Sequence, residues 1–166
     1  MIKKFFATLL FTAFLFFASA QSEFKLYNAE ENAMEQMKNA TTQAGKENKH
    51  VLLIIGGNWC KWCKLFDEFS HKTFQVDSML NADFIVEHIN FSKENKNLQA
   101  MQALEFPQRF GFPVFAIMDG TGKRIHTQQT GYLEEDKGYS KEKVVEFLQQ
   151  WSPAALKAEQ YLNNSK

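Results

Sequence analysis

An apolar run that leads into a cysteine pair constrains this chain more than any other feature. Residues 51–55 (VLLII) are uninterruptedly apolar and have the length of a buried strand. Residues 59–63 (WCKWC) follow after a short glycine-containing turn, and beyond them Leu65, Phe66 and Phe69 fall on one helical face. The pattern therefore predicts that the cysteines lie where a central strand ends and a helix begins.

The two cysteines of this motif, Cys60 and Cys63, are the only ones in the 166-residue chain. A helix N-terminus offers free backbone N–H groups and the positive end of the helix dipole, and both favour a thiolate. Lys61 adds a positive charge, which lowers the pKa of a neighbouring thiol. We therefore expect Cys60 to be the nucleophile and Cys63, one turn into the helix and more buried, to resolve the mixed disulfide.

Two other uses of a cysteine pair remain open. A zinc site generally needs two further Cys or His ligands, but the chain has no second CxxC and its four histidines are scattered. A purely structural disulfide is the other alternative, although a bridge that closes so short a loop constrains the unfolded chain very little. The placement of the pair favours redox chemistry over both.

The N-terminal segment predicts export. A short basic start (MIKK) precedes an apolar stretch over residues 5–17, and Ala18-Ser19-Ala20 has the pattern that signal peptidase accepts. The apolar stretch is shorter than the roughly 20 residues of a membrane-spanning helix, although an uncleaved N-terminal anchor remains the alternative. We expect residues 1–20 to be a signal peptide and the protein to be periplasmic or secreted, where disulfides form and persist.

Residues 21–166 have the length of one domain, and no repeat or linker divides them. Basic and acidic residues balance at 19 each, and loss of Lys3 and Lys4 with the signal peptide leaves a slight acidic excess. This balance gives no electrostatic reason to expect nucleic acid as a partner. We expect a single, monomeric domain with its core at about residues 28–151.

Periodicity and turn residues predict an alternation of helices and strands. Residues 21–27 are predicted to be a loose leader or a short edge element, and Asn28 can cap a helix that ends at about Thr42. Further strands are predicted at 84–90, from Pro113 to 118, and at 123–129, and further helices at 92–105 and after Ser140. Strands joined through a helix pair in parallel, whereas a hairpin is antiparallel. The order predicts an α/β fold with a central mixed sheet flanked by helices and an N-terminal helical extension.

This order and its motifs resemble the thioredoxin fold. The matching features are WCKWCK at residues 59–64, the Phe112-Pro113 step, the Asp119-Gly120 turn of the predicted hairpin, and Gly131, which follows that hairpin in sequence. The chain is similar to exported, single-domain thioredoxin-like proteins and to the terminal domain of membrane disulfide transporters. The likeness covers residues 28–151, almost all of the chain beyond the signal peptide.

The resemblance implies roles for residues outside the cysteine pair. In the family the proline that faces the CxxC is cis, which places Pro113 beside the dithiol and Phe112 at the position that contacts the client chain. Trp59 and Trp62 flank the cysteines as further candidates for substrate binding. We expect Trp59 to shield Cys63, and Trp62 either to be available to a client or to fold onto the surface.

One departure from the family concerns proton transfer. Efficient reductases of the family often carry a buried carboxylate on the strand, six residues before the first cysteine, and here that position is Ile54. Asp67 and Glu68 lie on the motif helix, where helical geometry is expected to point them outward. The resemblance therefore implies slow or specialised exchange, with water or another group moving the proton.

Together these features predict an exported thiol–disulfide oxidoreductase that acts through Cys60 and Cys63 without cofactor or metal. Its partners would be disulfide-containing client proteins and a redox partner that resets the dithiol. Two alternatives remain: a module that binds copper(I) through the two soft thiolates, and a non-catalytic thioredoxin-like interaction domain. The direction of electron flow stays open, because redox potential depends on thiolate stabilisation that no motif reports.

Overall fold

A computed structural model describes residues 25–162, so the predicted signal peptide at residues 1–20 lies outside the described residues. In chain order the helices and strands are α1 (Ala33–Glu47), β1 (His50–Gly56), α2 (Lys61–Lys72), α3 (Phe74–Asp83), β2 (Phe84–Asn90), α4 (Leu98–Ala103), β3 (Val114–Met118), β4 (Arg124–Gln129), β5 (Glu134–Glu135), β6 (Gly138–Tyr139), α5 (Lys141–Gln150) and α6 (Glu159–Leu162). Short 3-10 helices lie at Pro107–Phe110 and Thr130–Leu133. Within residues 25–162, no helix combines the length and apolar character that crossing a bilayer requires.

A four-stranded mixed sheet forms the centre of the domain, in the order β2-β1-β3-β4. β1 pairs in parallel with β2 and antiparallel with β3, and β3 and β4 form an antiparallel hairpin. The parallel pairing is possible because α2 and α3 carry the chain back to the start of the sheet between the two strands. The predicted central mixed sheet is confirmed.

Every residue of β1 is buried, because helices cover both faces of the sheet. Leu52 and Ile54 face a core built with α2, α3 and α5, whereas Val51, Leu53 and Ile55 face α1 and α4. Burying an aliphatic side chain contributes roughly 1.5–3 kcal/mol relative to leaving it exposed. The strand that leads to the cysteines therefore anchors both cores.

Helix α1 begins at Ala33, so the prediction that Asn28 caps it is wrong. The side-chain oxygen of Asn32 accepts hydrogen bonds from two backbone N–H groups of the first turn and is the N-cap. Asn28 closes a turn instead, because its Oδ1 accepts from the N–H of Glu30 at 3.0 Å. Both asparagines are suitable caps, and only the tertiary structure selects one.

Helix α1 also extends beyond the predicted end at Thr42, through Gly45 to Glu47. A β-carbon at Gly45 would approach within 2.9 Å of the backbone oxygen of Gly120, in the turn between β3 and β4. The helix ends at Asn48, which adopts the left-handed conformation. Close packing thus outweighs the weak helix propensity of glycine.

Only Leu98–Ala103 of the predicted helix at 92–105 is helical. In the loop before it, Asn90 Nδ2 donates to the carbonyl of Asn95 at 2.8 Å, and Asn95 Nδ2 donates to the carbonyl of Ala29 at 2.9 Å. Such side-chain bonds satisfy backbone groups outside a helix. They also tie the N-terminal segment to the loop that follows β2.

A short hairpin of β5 and β6 precedes α5, and the sequence analysis did not predict it. Tyr139 in β6 packs edge-on against Phe66 of α2, with 5.0 Å between ring centroids. Ser140 is the N-cap of α5 as predicted, although its hydroxyl bonds to the Glu142 side chain at 3.3 Å. The hairpin thereby joins α5 to the helix that carries the cysteines.

Candidate active site

Cys60 lies at the junction between β1 and α2. It is the N-cap of α2, with extended backbone angles (φ −86°, ψ 110°), and its Sγ accepts a hydrogen bond from the backbone N–H of Cys63 at 3.2 Å. A side-chain oxygen usually occupies this position in a helix. The sulfur therefore faces free N–H groups and the positive end of the helix dipole, which stabilise an anion.

Cys60 and Cys63 form a disulfide, and their Cα atoms are 5.3 Å apart. The two residues differ in access to solvent, since Cys60 is 4% exposed and Cys63 is 0% exposed. Cys63 Sγ lies against Gly56, where a β-carbon would collide with it. Both cysteines are therefore buried, and Cys60 is the less completely buried of the two.

The Phe112–Pro113 peptide bond is cis, as the resemblance implies. Phe112 packs against the cluster formed by Tyr27 and the two cysteines. The carbonyl oxygen of Pro113 accepts a buried hydrogen bond from the Thr130 hydroxyl at 2.6 Å. The loop before β3 is therefore fixed beside the disulfide.

Trp59, which is predicted to pack beside the motif and shield Cys63, is 60% exposed. Its indole Nε1–H donates to the carbonyl oxygen of Phe91 at 2.9 Å, which draws the ring toward the loop after β2. The ring meets Phe112 edge-on at 5.3 Å, and Phe91 stacks on Phe112 at 5.1 Å. We call Trp59, Phe91 and Phe112 the aromatic band; it lies next to the cysteine pair.

Trp62 is folded onto the surface of the domain. Its ring meets Tyr139 edge-on at 5.8 Å, and the Tyr139 hydroxyl donates to the carbonyl oxygen of Trp62 at 3.3 Å. Trp62 also packs against the cluster that contains both cysteines. Lys61, the first residue of α2, is exposed next to Cys60.

Tyr27 belongs to the site, so the prediction of a loose leader or short edge element is wrong for this residue. It is 1% exposed and packs with both cysteines. Asn58 holds its backbone, because the Tyr27 N–H donates to Asn58 Oδ1 at 3.0 Å and Asn58 Nδ2 donates to the Tyr27 carbonyl at 2.7 Å. The sequence signal for this role was an aromatic residue in the short segment before α1. Such a residue can be either buried or exposed, so the signal does not predict the role.

Three polar side chains between α2 and β2 form a connected group, and one of them, Tyr27, lies against Cys63. The Tyr27 hydroxyl lies near Cys63 Sγ, because both atoms would contact a β-carbon at Gly56. The Tyr27 ring meets the His88 ring edge-on at 5.2 Å, and His88 Nε2 is 4.0 Å from Asp67 Oδ1. The Asp67 side chain is only 24% exposed, so the prediction that it points outward is wrong. Asp67 lies one turn beyond Cys63, on the same face of α2.

Burial sets the protonation of Tyr27 and His88. It raises the pKa of Tyr27 well above that of a free phenol, and it lowers the pKa of His88 below the usual value of 6.5. The charge of Asp67 opposes the shift at His88, and that of His71 adds to it. At neutral pH Tyr27 is a neutral phenol and His88 a neutral imidazole. Neither the Tyr27 hydroxyl nor His88 Nε2 has a hydrogen-bond partner among residues 25–162.

An open cavity of about 1030 Å³ lies beside the aromatic band. Its walls combine aromatic and polar residues of the site with charged residues of both signs: Trp59, Phe91, Tyr27, Asn58, Lys25, Glu30, Lys93, Glu94 and Lys96, among others. The cavity shares Trp59 and Phe91 with the aromatic band, and neither cysteine is among its lining residues.

The mixed sheet, the disulfide at the start of a helix and the adjacent cis-proline define a thioredoxin-fold protein of the thiol–disulfide oxidoreductase type. A solved structure titled as a disulphide isomerase from Xylella fastidiosa Temecula1 has the same fold, with a TM-score of 0.66 and 26% identity over 75% of this chain and 95% of that chain. In the part of the chain that the structure describes, no three His, Cys, Asp or Glu side chains are grouped so that they could hold a metal ion.

The chain belongs to the family described as Thioredox_DsbH, "Protein of unknown function, DUF255", whose family model matches residues 17–166. It is also similar to the thiol:disulfide interchange protein DsbD of Photorhabdus laumondii, at 28% identity over 115 residues, and to that of Vibrio cholerae, at 20% over 103 residues. The matches cover 69% and 61% of this chain but 19% and 17% of those proteins. The chain thus spans less than a fifth of the length of these curated relatives.

Proposed function

We propose that the protein is an exported thiol–disulfide oxidoreductase that exchanges disulfides with client proteins through Cys60 and Cys63. The observation that carries the proposal is the position of the Cys60–Cys63 disulfide, at the N-terminus of α2 and beside cis-Pro113. The names of the similar proteins, thiol:disulfide interchange proteins and a disulphide isomerase, support the same class of reaction.

Cys60 carries out the first step of the exchange. In the reductive direction its thiolate attacks one sulfur of a client disulfide, so that a bond forms between Cys60 and the client and the other client sulfur leaves as a thiolate. The free N–H groups at the start of α2 and the charge of Lys61 stabilise the attacking thiolate. Cys60 suits this step because it is the N-cap of α2 and the less completely buried of the two cysteines.

Cys63 carries out the second step. Its thiolate attacks the Cys60 sulfur, forms the intramolecular disulfide and releases the second client sulfur as a thiolate. Two electrons have then passed from the dithiol to the client, whose two thiolates take up two protons. A redox partner with a dithiol of its own restores the reduced pair by the same steps in reverse.

Client segments would lie along the aromatic band and the cis-proline loop. Trp59 presents an exposed ring beside the disulfide, and Phe112 supports it edge-on. Such rings bind apolar side chains through a large contact area. The adjoining cavity gives an extended client chain room to continue, with lysine and glutamate side chains at its rim.

A trapping experiment tests the catalytic pair. In cells that express Cys63→Ser, clients should accumulate as covalent adducts on Cys60 that disappear when reductant is added, because the resolving thiol is missing. The matched control, Cys60→Ser, should trap no clients since Cys63 is fully buried. In a chain with both cysteines, Pro113→Thr should lengthen the lifetime of the adducts.

The same variants distinguish the alternatives. Absence of reductant-sensitive adducts from a folded Cys63→Ser variant would contradict the oxidoreductase proposal. A copper(I) carrier would trap no clients but would bind copper(I) stoichiometrically when the reduced protein is titrated with the metal. An idle interaction domain would show neither behaviour.

Export forms the remaining part of the proposal, and the basic start, apolar stretch and Ala18-Ser19-Ala20 pattern of the sequence support it. Mass spectrometry of the purified protein should therefore find an N-terminus at Gln21 or its cyclised form. An intact Met1 terminus in the membrane fraction would indicate an anchored protein instead.

A further inference from the structure

The resolving thiol has no carboxylate on the strand that precedes it, because the position that would hold one is Ile54. We propose that Tyr27, His88 and Asp67 assist the resolving step in place of that carboxylate. The Tyr27 hydroxyl donates a hydrogen bond to the Cys63 thiolate, and His88, supported by Asp67, accepts the thiol proton. The inference rests on the proposed function and assigns further residues to the same reaction.

The second step of the exchange creates the need for such groups. While the client is bound to Cys60, Cys63 is a thiol, and its proton must leave before its sulfur can attack. Cys63 is fully buried, and burial in apolar surroundings disfavours a thiolate. A hydrogen-bond donor and a base next to Cys63 would both accelerate the step.

Tyr27 is placed to be the donor. Its hydroxyl and Cys63 Sγ meet above Gly56, and no group among residues 25–162 pairs with this hydroxyl in the disulfide form. Leaving a buried hydroxyl unpaired is costly, and such a group commonly has a function. In the disulfide the Cys63 sulfur carries no charge, whereas the thiolate formed during exchange is an acceptor for this hydroxyl. The two hydrogen bonds from Asn58 keep Tyr27 in place.

His88 is placed to be the base. It is the register partner of Ile54 on the neighbouring strand β2, so its imidazole lies on the sheet face where the family carries its carboxylate. Its ring contacts the Tyr27 ring, and its Nε2 has no hydrogen-bond partner among residues 25–162. Asp67 Oδ1, 4.0 Å from Nε2, stabilises the imidazolium that results.

The surrounding titratable groups connect His88 to solvent. His71 on α2 is exposed and its Nδ1 is 3.5 Å from Asp67 Oδ1, so Asp67 lies between the buried and the exposed histidine. The Tyr139 hydroxyl of β6 takes no part in this route, because it already donates to the carbonyl of Trp62. The proton therefore passes from the Cys63 thiol to His88 and then, past Asp67, to solvent, while the Cys63 electrons form the new disulfide.

Resolution of a defined adduct tests this assignment. The reduced protein is allowed to attack glutathione disulfide, and the release of glutathione from Cys60 is followed by rapid quenching as a function of pH. Tyr27→Phe should slow this release by about tenfold at neutral pH and move its pH profile upward, because a hydrogen bond to a charged group is lost. The preceding attack by Cys60 should keep its rate.

Two further variants separate a chemical from a structural role. Tyr161→Phe removes an exposed hydroxyl that is bonded to the carbonyl of Ala155 in the C-terminal segment, and it should leave the release rate and its pH profile unchanged. His88→Gln keeps a polar side chain but loses the base, so it should slow the release and flatten its pH profile. An unchanged rate in His88→Gln would overturn the role of the histidine.

The outcomes distinguish this inference from the proposed function. If the unaltered protein resolves the adduct and folded Tyr27→Phe matches it in rate and pH profile, the role of Tyr27 is overturned and the proposed function stands. If the unaltered protein forms no adduct, the proposed function fails. Titration of Cys63 by NMR in the Cys60→Ser background then still decides the tyrosine, since an identical midpoint with and without Tyr27→Phe would refute its hydrogen bond.

Discussion

Asn58 and Tyr27 are joined by a reciprocal pair of hydrogen bonds, in which each residue donates one bond and accepts the other. The pair attaches the start of the described chain to the loop that precedes the cysteines. The buried ring of Tyr27 then closes the inner side of the cysteine pair, and its hydroxyl reaches the pocket above Gly56. A segment remote in sequence thus completes the candidate active site.

Asn58→Ala should destabilise the domain by about 1–3 kcal/mol, because it removes both hydrogen bonds and leaves partly buried backbone groups of Tyr27 unpaired. Urea denaturation of the oxidised protein measures the effect. Asn81→Ala is the matched control, since its amide makes one exposed bond to the carbonyl of Asp77 at 2.9 Å. Equal losses in the two variants would contradict a special role for the Asn58 pair.

Cys60 should be the reactive thiol of the reduced protein. Alkylation at mildly acidic pH, followed by peptide mapping, should label Cys60 and spare Cys63, because the N-cap position stabilises one thiolate and burial protects the other thiol. Cys60→Ser provides the control and should remain unlabelled under the same conditions. Equal labelling of both cysteines in the unaltered protein would refute the assignment.

Gly45→Ala should destabilise the protein by about 1–3 kcal/mol, as overpacking does. At an exposed helical position the same change stabilises by roughly 1 kcal/mol, but here the new β-carbon would lie 2.9 Å from the Gly120 oxygen. Thermal unfolding measures the sign of this change in stability. Gly138→Ala is the control, because a β-carbon there meets nothing within 4 Å. A stabilised Gly45→Ala variant would show that the contact is relaxed at little cost.

The stability of the folded protein should decrease as the pH falls through the titration of His88. Burial lowers its pKa in the folded state below the usual 6.5, so the unfolded chain binds the proton first. The stability that neutral His88 contributes is complete above its usual pKa of 6.5, and it is lost as the pH falls toward the lower pKa of the folded state. Unfolding free energies between about pH 8 and pH 5 should show a weaker decline in His88→Gln. His71→Gln removes only the smallest of the three influences on the His88 pKa and should retain most of the decline of the unaltered protein.

The unit formed by β1, the cysteine motif and α2 was predictable because its sequence signals are local. The continuous apolar run of β1 specifies a strand covered on both faces, and the cysteines follow it directly. The cis-proline came from the resemblance and not from periodicity. These elements need no knowledge of distant contacts.

The inner side of the site could not be predicted, because distant segments assemble it. Asn58 holds the backbone of Tyr27, whose ring is buried against the cysteines, and Asp67 of α2 turns inward toward His88 of β2. The position of Trp59 also depends on a distant contact, because its indole N–H donates a hydrogen bond to the carbonyl of Phe91. A helical wheel or a propensity scale contains none of these contacts.

The complete burial of β1 also has a kinetic consequence. Its residues pair with β2 on one side and β3 on the other, and amides in such a central strand exchange their hydrogens only through global unfolding. The cysteines follow this strand directly, so they are attached to the part of the domain that opens least often. The pair can therefore pass between dithiol and disulfide many times during the lifetime of a single folded molecule without any opening of its support.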